Sequence, residues 1–373
     1  MIDLDEKVEI VGLDYTHGHG WDNYPLDSVF VRSEQRTVIE VVRRINLGRY
    51  DLNPDFQRDF VWPIEKQSRL IESCLMRLPL PVFYVAEAKD GRIIVVDGLQ
   101  RLNTMKRFLA NEFALDLPNA DVSKSRKDYP LNGKLFRELE FFLQERIEDT
   151  QLILYIIDVN APERAKLDIF ERVNGGVPLT RQQMRNCLYN GPATRWLKET
   201  AELDSFKNII GNALNVKNMQ DREVINRFCG FKLIGLDSYD KCEGNVDLFM
   251  AKTLEYMNQL SSAELDDLRK SFDDSMNNNM MLFGKHAFRK SIRDLTGYRT
   301  VLNISLFDVC AVVLSEISTE LVKGHAEAIK NSFADLLLHH DFLKTITSAT
   351  TNKKNVRDKF EMMRKSLQDA IPC

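Results

Sequence analysis

The first half of the chain alternates helix-like and strand-like patterns of apolar positions. Apolar residues spaced three and four apart over 38–45 predict a helix, which Thr37 and Glu40 open as a capping box and Gly48 ends. A second helix begins at Pro63, a favoured first position, and repeats the same spacing. Both helices are therefore expected to bury one face.

A β-hairpin is the clearest local signal in the chain. Apolar residues over 82–88 and 92–96 predict two strands, and Asp90-Gly91 between them supplies the positive φ of a hairpin turn. A helix follows at once, with apolar residues facing inward from Leu102 onward.

The rest of the chain continues with one more strand and then only helices. Residues 151–159 predict a strand, 161–173 predict a helix, and Thr180 caps another helix. After residue 190, amphipathic helices follow one another without a convincing strand. The clearest of them are predicted over 223–233, 246–260, 263–276 and 306–317. We therefore predict an α+β fold in three parts, namely an irregular segment at 1–29, an α+β domain at 30–190 and an all-helical domain at 191–373.

Composition and charge narrow the class of protein. The 51 basic and 55 acidic residues give a net charge of −4, which is not that of a generally basic nucleic-acid binder. The six cysteines form no C-x-x-C pair, which excludes a zinc ribbon and favours reduced thiols. No apolar run approaches a membrane span, and residues 1–9 lack the features of a signal peptide. These observations lead us to expect a cytoplasmic protein without membrane contact.

The strongest chemical signal is Asp97-Gly-Leu-Gln-Arg101, which joins the second hairpin strand to its helix. A glycine turn at a helix N-terminus offers unpaired N–H groups and the helix dipole to an anion, typically a phosphate. Arg101 can fork onto that phosphate, Gln100 can orient a water, and Asp97 can hold a metal ion or accept a proton. The alternative is a plain turn in which Asp97 caps the helix and Arg101 lies on the surface.

Two further segments combine polar side chains with turns. Within 53–62, Arg58 stands between aromatic residues and can reach a phosphate or stack on a base. Its alternative is an ion pair with a carboxylate beside a core of aromatic residues. Within 170–185, a glycine loop between two helices presents Asn174 and Arg185. The alternative there is a helical hairpin whose glycines only cap the first helix.

Taken in order, the three segments resemble the N-terminal domain of GmrSD-type modification-dependent restriction systems. The resemblance covers about residues 30–190 and rests on Asn53-Pro54…Gln57-Arg58…Trp62, Asp97-Gly-Leu-Gln-Arg101-Leu and Phe170…Asn174-Gly175-Gly176…Leu179…Arg185. It implies a ParB/sulfiredoxin-like fold with a nucleotide site. The family's usual motif, Asp-Gly-Gln-Gln-Arg, is linked to nucleotide binding and hydrolysis in phage-defence proteins. Here Leu99 replaces its first Gln, which leaves hydrolysis open.

The resemblance also implies roles for the matched residues. The cofactor would be a nucleoside triphosphate with Mg²⁺, and Asp97 would be the acidic residue that holds the metal. Gln100 would position water and Arg101 would face the phosphates, so that these three would be the catalytic residues. The further nucleotide-binding residues would be Arg58, Gly98, Asn174, Gln57 and Arg185.

The chain has an incomplete nuclease signal and two basic stretches that are candidates for DNA binding. Many relatives carry a nuclease domain with a His-Asn-His pattern, but the cluster His339-His340-Asp341 lacks the downstream Asn and His, which leaves a separate nuclease subunit as a partner. Basic stretches at 284–299 and 351–365 each carry a net charge of +4 and can track DNA phosphates. The alternative for each is a solvated face. The DNA-binding candidates are Lys285, Arg289, Lys290, Arg293, Lys353, Lys354 and Arg357.

Two hypotheses about function follow. The first is a prokaryotic defence protein that binds a nucleoside triphosphate, with or without hydrolysing it, and whose helical domain recognises DNA or a partner nuclease. The second is a non-catalytic DNA-sensing or scaffold module with a vestigial pocket. Release of phosphate from a nucleotide separates the two. The sequence leaves the choice of nucleotide and the oligomeric state open.

Overall fold

The computed structural model describes residues 10–12, 31–52, 62–88, 90–117, 130–173 and 180–371. The chain folds as two compact units: an N-terminal unit at 20–188, and a helical unit that combines 189–373 with 1–19. A sheet with helices in the first unit and helices in the second confirm the predicted α+β class. The first described strand, β1 (Ile10–Val11), belongs to the helical unit.

A five-stranded sheet organises the N-terminal unit. Its strands are β2 (Val31–Thr37), β3 (Tyr50–Asp51), β4 (Phe83–Glu87), β5 (Ile93–Asp97) and β6 (Gln151–Ile157). Across the sheet they lie in the order β2-β6-β4-β5-β3. The pairs β2–β6 and β4–β5 are antiparallel, whereas β6–β4 and β5–β3 are parallel. The β4–β5 pair is the predicted hairpin, and β5 leads directly into the candidate site.

Six helices accompany this sheet, and the sequence predicts all of them except α4. They are α1 (Val38–Asn46), α2 (Ile64–Leu75), α3 (Leu99–Leu109), α4 (Phe141–Glu148), α5 (Glu163–Val173) and α6 (Arg181–Leu188). At the start of α1, Thr37 Oγ1 accepts the Glu40 N–H at 3.3 Å, as expected of an N-cap. The buried faces of α1, α2 and α3 join β4 and β5 in one apolar core.

The helical unit contains every helix that the sequence predicts beyond residue 190. Its helices are α7 (Pro192–Ala201), α8 (Asp204–Ile210), α9 (Gln220–Leu233), α10 (Gly235–Lys241), α11 (Val246–Met257), α12 (Ser262–Phe283), α13 (Ile304–Leu314), α14 (Thr319–Gly324), α15 (Ala326–Leu336), α16 (His340–Thr347) and α17 (Lys353–Ala370). A two-residue strand, β7 (Leu302–Asn303), precedes α13 and pairs in parallel with β1. In the part of the chain described, no helix is both long and apolar enough to cross a membrane.

A buried ionic network joins three helices of this unit. Arg227 of α9 donates to Asp308 of α13 from Nε at 2.9 Å and also from its terminal nitrogen. Lys359 of α17 places Nζ 3.6 Å from the same carboxylate, and burial lowers the pKa of Lys359 to about 8. Nearby on α9, burial raises the pKa of Glu223 to about 8. Asp308 is therefore the anion that compensates two buried cations.

Candidate functional site

The turn from β5 into α3 depends on Gly98. This residue has a φ of +101°, in the left-handed region that side chains disfavour. A Cβ at this position would lie 2.3 Å from Phe83 Cδ1, which is closer than real contacts allow. Gly98 is also the N-cap of α3 and has no side chain to cap it. The first N–H groups of an 11-residue helix are thus left without a side-chain cap, beside the ring of Phe83.

Hydrogen bonds from the buried Arg101 side chain stabilise this turn. Its guanidinium donates to the carbonyl oxygens of Pro81 and Val82, the latter at 3.0 Å, and to Asp97 Oδ2 at 2.8 Å. It also lies 4.2 Å above the centre of the Phe83 ring. Burial lowers the pKa of Arg101, and the Asp97 charge opposes that effect. The alternative of a surface arginine beside an Asp97 cap is therefore wrong.

Asp97 and Leu99 face different surroundings on either side of Gly98. The Asp97 side chain keeps 41% of its surface exposed, and its Oδ1 accepts no hydrogen bond from the described residues. Leu99 is buried in the core of the N-terminal unit. Leu99, which stands where the family's usual motif has Gln, therefore packs in the core. The change from Gln to Leu removes no group from the exposed side of the turn. Gln100, beside it, is partly exposed.

Helix α6 carries a row of buried polar side chains. Gln182, Arg185 and Asn186 are almost completely buried. Arg185 Nε donates to Gln182 Oε1 at 3.1 Å, and Gln182 Nε2 donates to Asn186 Oδ1 at 2.8 Å. Gln183 accepts the Thr180 N–H at 2.7 Å and so closes the predicted cap. Burying polar groups is costly unless they are satisfied, so these hydrogen bonds within α6 lower the cost of burying the row.

Parallel pairing makes the carboxyl ends of β3 and β5 point to the same side of the sheet. Strands β3 and β5 run parallel, with Asp51 opposite Ile94, so both end towards the edge that carries Asp97. The charge of Asp51 also adds to burial in raising the pKa of the Cys187 thiol, which places the end of α6 near β3. We call the region of Asp51, Asp97 and α6 the carboxyl edge.

Three predicted nucleotide-binding residues cannot be placed at this edge. Gln57, Arg58 and Asn174 lie outside the described residues. Of the other candidates, Gly98 and Arg101 shape the turn, and Arg185 belongs to the buried row of α6. Sequence analysis missed Gln182 and Asn186. The signal available was the polar residues beside the apolar stripe of Met184, Cys187 and Leu188, because a short helix buried on more than that stripe needs internal partners for its polar groups.

A metal at this edge would rest on Asp97. Among the residues with described positions, no three His, Cys, Asp or Glu side chains come together as a metal site. Mg²⁺ commonly takes only one or two carboxylates and completes its shell with substrate phosphates and water. A single, partly exposed carboxylate therefore fits Mg²⁺ that arrives with a nucleotide, and does not fit a resident structural metal.

The two predicted DNA-binding stretches differ in whether their basic side chains form ion pairs. In the second stretch, Lys353 pairs with Glu243, Arg357 pairs with Asp237 and Asp240, and Arg364 pairs with Glu316. In the first stretch, Arg289 is buried. The other cations of that stretch have no ion pair with any described carboxylate. They are Lys285, Lys290, Arg293 and Arg299.

The turn, the buried polar helix and the parallel strands belong to one α+β domain. The uncapped N-terminus of α3 in this domain is of the kind that can bind an anion. Residues 38–190 match the family model described as "GmrSD restriction endonuclease, N-terminal domain". This segment, 153 of the 373 residues, is therefore similar to the N-terminal domain of GmrSD restriction endonucleases, which are restriction-type defence proteins. No curated protein and no solved structure matches the chain.

Proposed function

We propose that the N-terminal unit binds a nucleoside triphosphate with Mg²⁺ at the carboxyl edge, and that the helical unit binds DNA. The observation that supports nucleotide binding is the Asp97 carboxylate, held by Arg101 at the uncapped N-terminus of α3. The helix terminus would take a phosphate, and Asp97 Oδ1 would take the Mg²⁺ bound to it. The match to restriction-type proteins supports DNA as the macromolecular partner.

Hydrolysis is a further step that the same residues would carry. Mg²⁺ would supply charge neutralisation of the phosphates when bound. Gln100, partly exposed on the first turn of α3, would orient the attacking water, and the Asp97–Arg101 pair would keep the turn in place. Burial of Leu99 supports this role, because the changed motif position does not face the water.

Binding without hydrolysis is the second candidate. Arg101 favours it, because its N–H groups point to Pro81, Val82 and Asp97 instead of to open space. The experiment that separates the two uses the full-length protein with each of the four ribonucleoside triphosphates and Mg²⁺, with and without DNA. Phosphate release supports the enzyme, whereas thermal stabilisation without release supports a nucleotide-gated sensor.

Replacing Asp97 with asparagine tests the nucleotide site directly. Asp97→Asn is expected to weaken Mg²⁺-dependent nucleotide binding at least about tenfold, because a charged partner of the metal is lost. Titration calorimetry with and without Mg²⁺ measures the effect. The matched control is Asp90→Asn in the β4–β5 turn, where the carboxylate also pairs with an arginine. Wild-type affinity in Asp97→Asn would contradict the proposal.

Salt dependence tests the DNA proposal. The double variant Lys285→Ala/Arg293→Ala removes two cations that lack ion pairs among the described residues. The slope of log affinity against log salt is expected to become less steep by about 2. The matched control, Lys353→Ala/Arg364→Ala, removes two cations already paired with Glu243 and Glu316, and is expected to leave the slope unchanged. Equal slopes in both double variants would place the DNA elsewhere.

A further inference from the structure

A loop of the helical unit presents a tyrosine entirely to solvent. Tyr298 is 99% exposed, within the segment between residue 290 and α13. We name residues 291–300 the tyrosine loop. A ring in this position buries no surface and adds nothing to the stability of the fold. The whole ring is therefore available to a binding partner.

The tyrosine loop is held rigidly although its tip is solvated. At its base, the Ser291 N–H donates to Thr300 Oγ1 at 3.1 Å, and the Thr300 N–H donates to Ser291 Oγ at 3.2 Å. At its turn, Asp294 Oδ1 accepts from the Thr296 N–H at 3.0 Å and from the Thr296 hydroxyl at 2.7 Å. Such bonds order the loop before any partner arrives, which lowers the entropy cost of binding.

Buried aromatic packing anchors the residues just before the loop. Phe288 is fully buried, and its ring centre lies 4.8 Å from that of Phe307 in α13. Its carbonyl accepts the Asn303 N–H at 3.0 Å, although Phe288 adopts a left-handed φ of 62°. Packing and this hydrogen bond oppose the strain, so the loop rises from a fixed platform.

The charge around Tyr298 suits a nucleic acid. Lys285, Arg293 and Arg299 are exposed, and none forms an ion pair with a described carboxylate. The one acid of the loop, Asp294, accepts hydrogen bonds from Thr296, and with Arg293 and Arg299 it leaves the loop a net charge of +1. A protein hot spot would need an apolar surround, whereas the sequence neighbours of Tyr298 are Gly297 and Arg299. An aromatic ring among cations is typical of a platform on which a base stacks while phosphates are held beside it.

We propose that Tyr298 stacks on an unpaired DNA base while Arg293 and Arg299 hold the adjoining phosphates. The proposal rests on the DNA-binding part of the proposed function. In a regular duplex each base face is covered by its neighbours, so an exposed ring reaches a base only where stacking is interrupted. The tyrosine loop therefore prefers single-stranded DNA, or a duplex with a bulged nucleotide, over a continuous duplex.

The test compares labelled DNA ligands by fluorescence anisotropy with the full-length protein. The ligands are a continuous duplex, the same duplex with one bulged nucleotide, the single strand, and an RNA strand of the same sequence. Tyr298→Ala is expected to bind the bulged duplex and the single strand about tenfold more weakly than wild type, with an unchanged salt slope. Tyr298→Phe keeps the ring and is expected to bind like wild type. The control is Tyr256→Ala, which removes an exposed tyrosine of α11.

Each outcome decides a different point. Salt-dependent DNA binding by wild type with no change in Tyr298→Ala would overturn the stacking proposal and leave the DNA-binding proposal standing. No binding of any DNA by wild type would overturn both proposals. Tighter binding of RNA than of DNA would overturn the assignment to DNA. A wild-type preference for the bulged duplex that Tyr298→Ala loses and Tyr298→Phe keeps is the supporting result.

Discussion

Replacing Asp308 with alanine is expected to lower the free energy of unfolding of the helical unit by about 3–5 kcal/mol. The reason is that Arg227 and Lys359 would then be two buried cations without their shared carboxylate. Removing one partner of a buried pair costs far more than the pair itself contributes, because the desolvation of the remaining charge is uncompensated. Urea unfolding followed by circular dichroism measures the loss.

The pH dependence of this loss distinguishes its cause. In the native protein Lys359 has a pKa of about 8, below its value in the unfolded chain, so the unfolded state binds more protons above that pH. Stability from this group therefore rises with pH between about 8 and 10.5. Without Asp308 the pKa of Lys359 falls further. The free energy of unfolding of Asp308→Ala is therefore expected to start rising at a lower pH than that of wild type. A loss in Asp308→Ala that is the same at pH 6 and pH 9 would argue for lost packing instead.

An exposed carboxylate provides the control for Asp308. Asp341, in α16, keeps 77% of its side chain exposed, and Asp341→Ala is expected to change stability by less than about 0.5 kcal/mol. Asp308→Asn keeps the shape of the buried side chain and removes only its charge. A full loss in Asp308→Asn assigns the effect to charge compensation.

The sequence predicted those elements that are determined by residues close to one another in the chain. The α1 cap, the β4–β5 turn and the α3 start depend on residues within a few positions of each other, and all three were read from the sequence. Strand β2 was missed because its sequence, VRSEQRT, is polar on both faces. Its hydrogen bonds come from β6, more than a hundred residues later in the chain, so no local period reports it.

The buried position of the Arg101 side chain was likewise not predicted, because its partners are distant in the sequence. The sequence offered a phosphate contact or a surface position, but the carbonyl groups that hold Arg101 lie about 20 residues earlier. Pairing of β4 with β5 brings them back to the start of α3. The buried network of Arg227, Asp308 and Lys359 likewise joins positions far apart in the chain, and composition alone cannot reveal it.

Gly98→Ala is the second large prediction, and it links stability to the proposed site. The added Cβ meets Phe83 Cδ1 at 2.3 Å, and φ stays at +101° unless the turn moves. Steric overlap of this kind costs about 1–3 kcal/mol, and a left-handed side chain costs about 1–2 kcal/mol more. We expect the N-terminal unit to lose about 2–5 kcal/mol in urea unfolding. Hydrogen exchange in α3 assigns the loss to this unit.

Gly91→Ala is the control that separates backbone strain from steric overlap with Phe83. Gly91 also has a positive φ, +76°, but a Cβ there would meet nothing within 4 Å. Gly91→Ala is therefore expected to cost about 1 kcal/mol, from backbone strain alone. Because relief of the overlap with Phe83 must move Asp97 relative to α3, Gly98→Ala is expected to lose nucleotide binding even while folded, whereas Gly91→Ala keeps it. Equal costs in the two variants would show that Phe83 yields and that the turn does not depend on glycine for space.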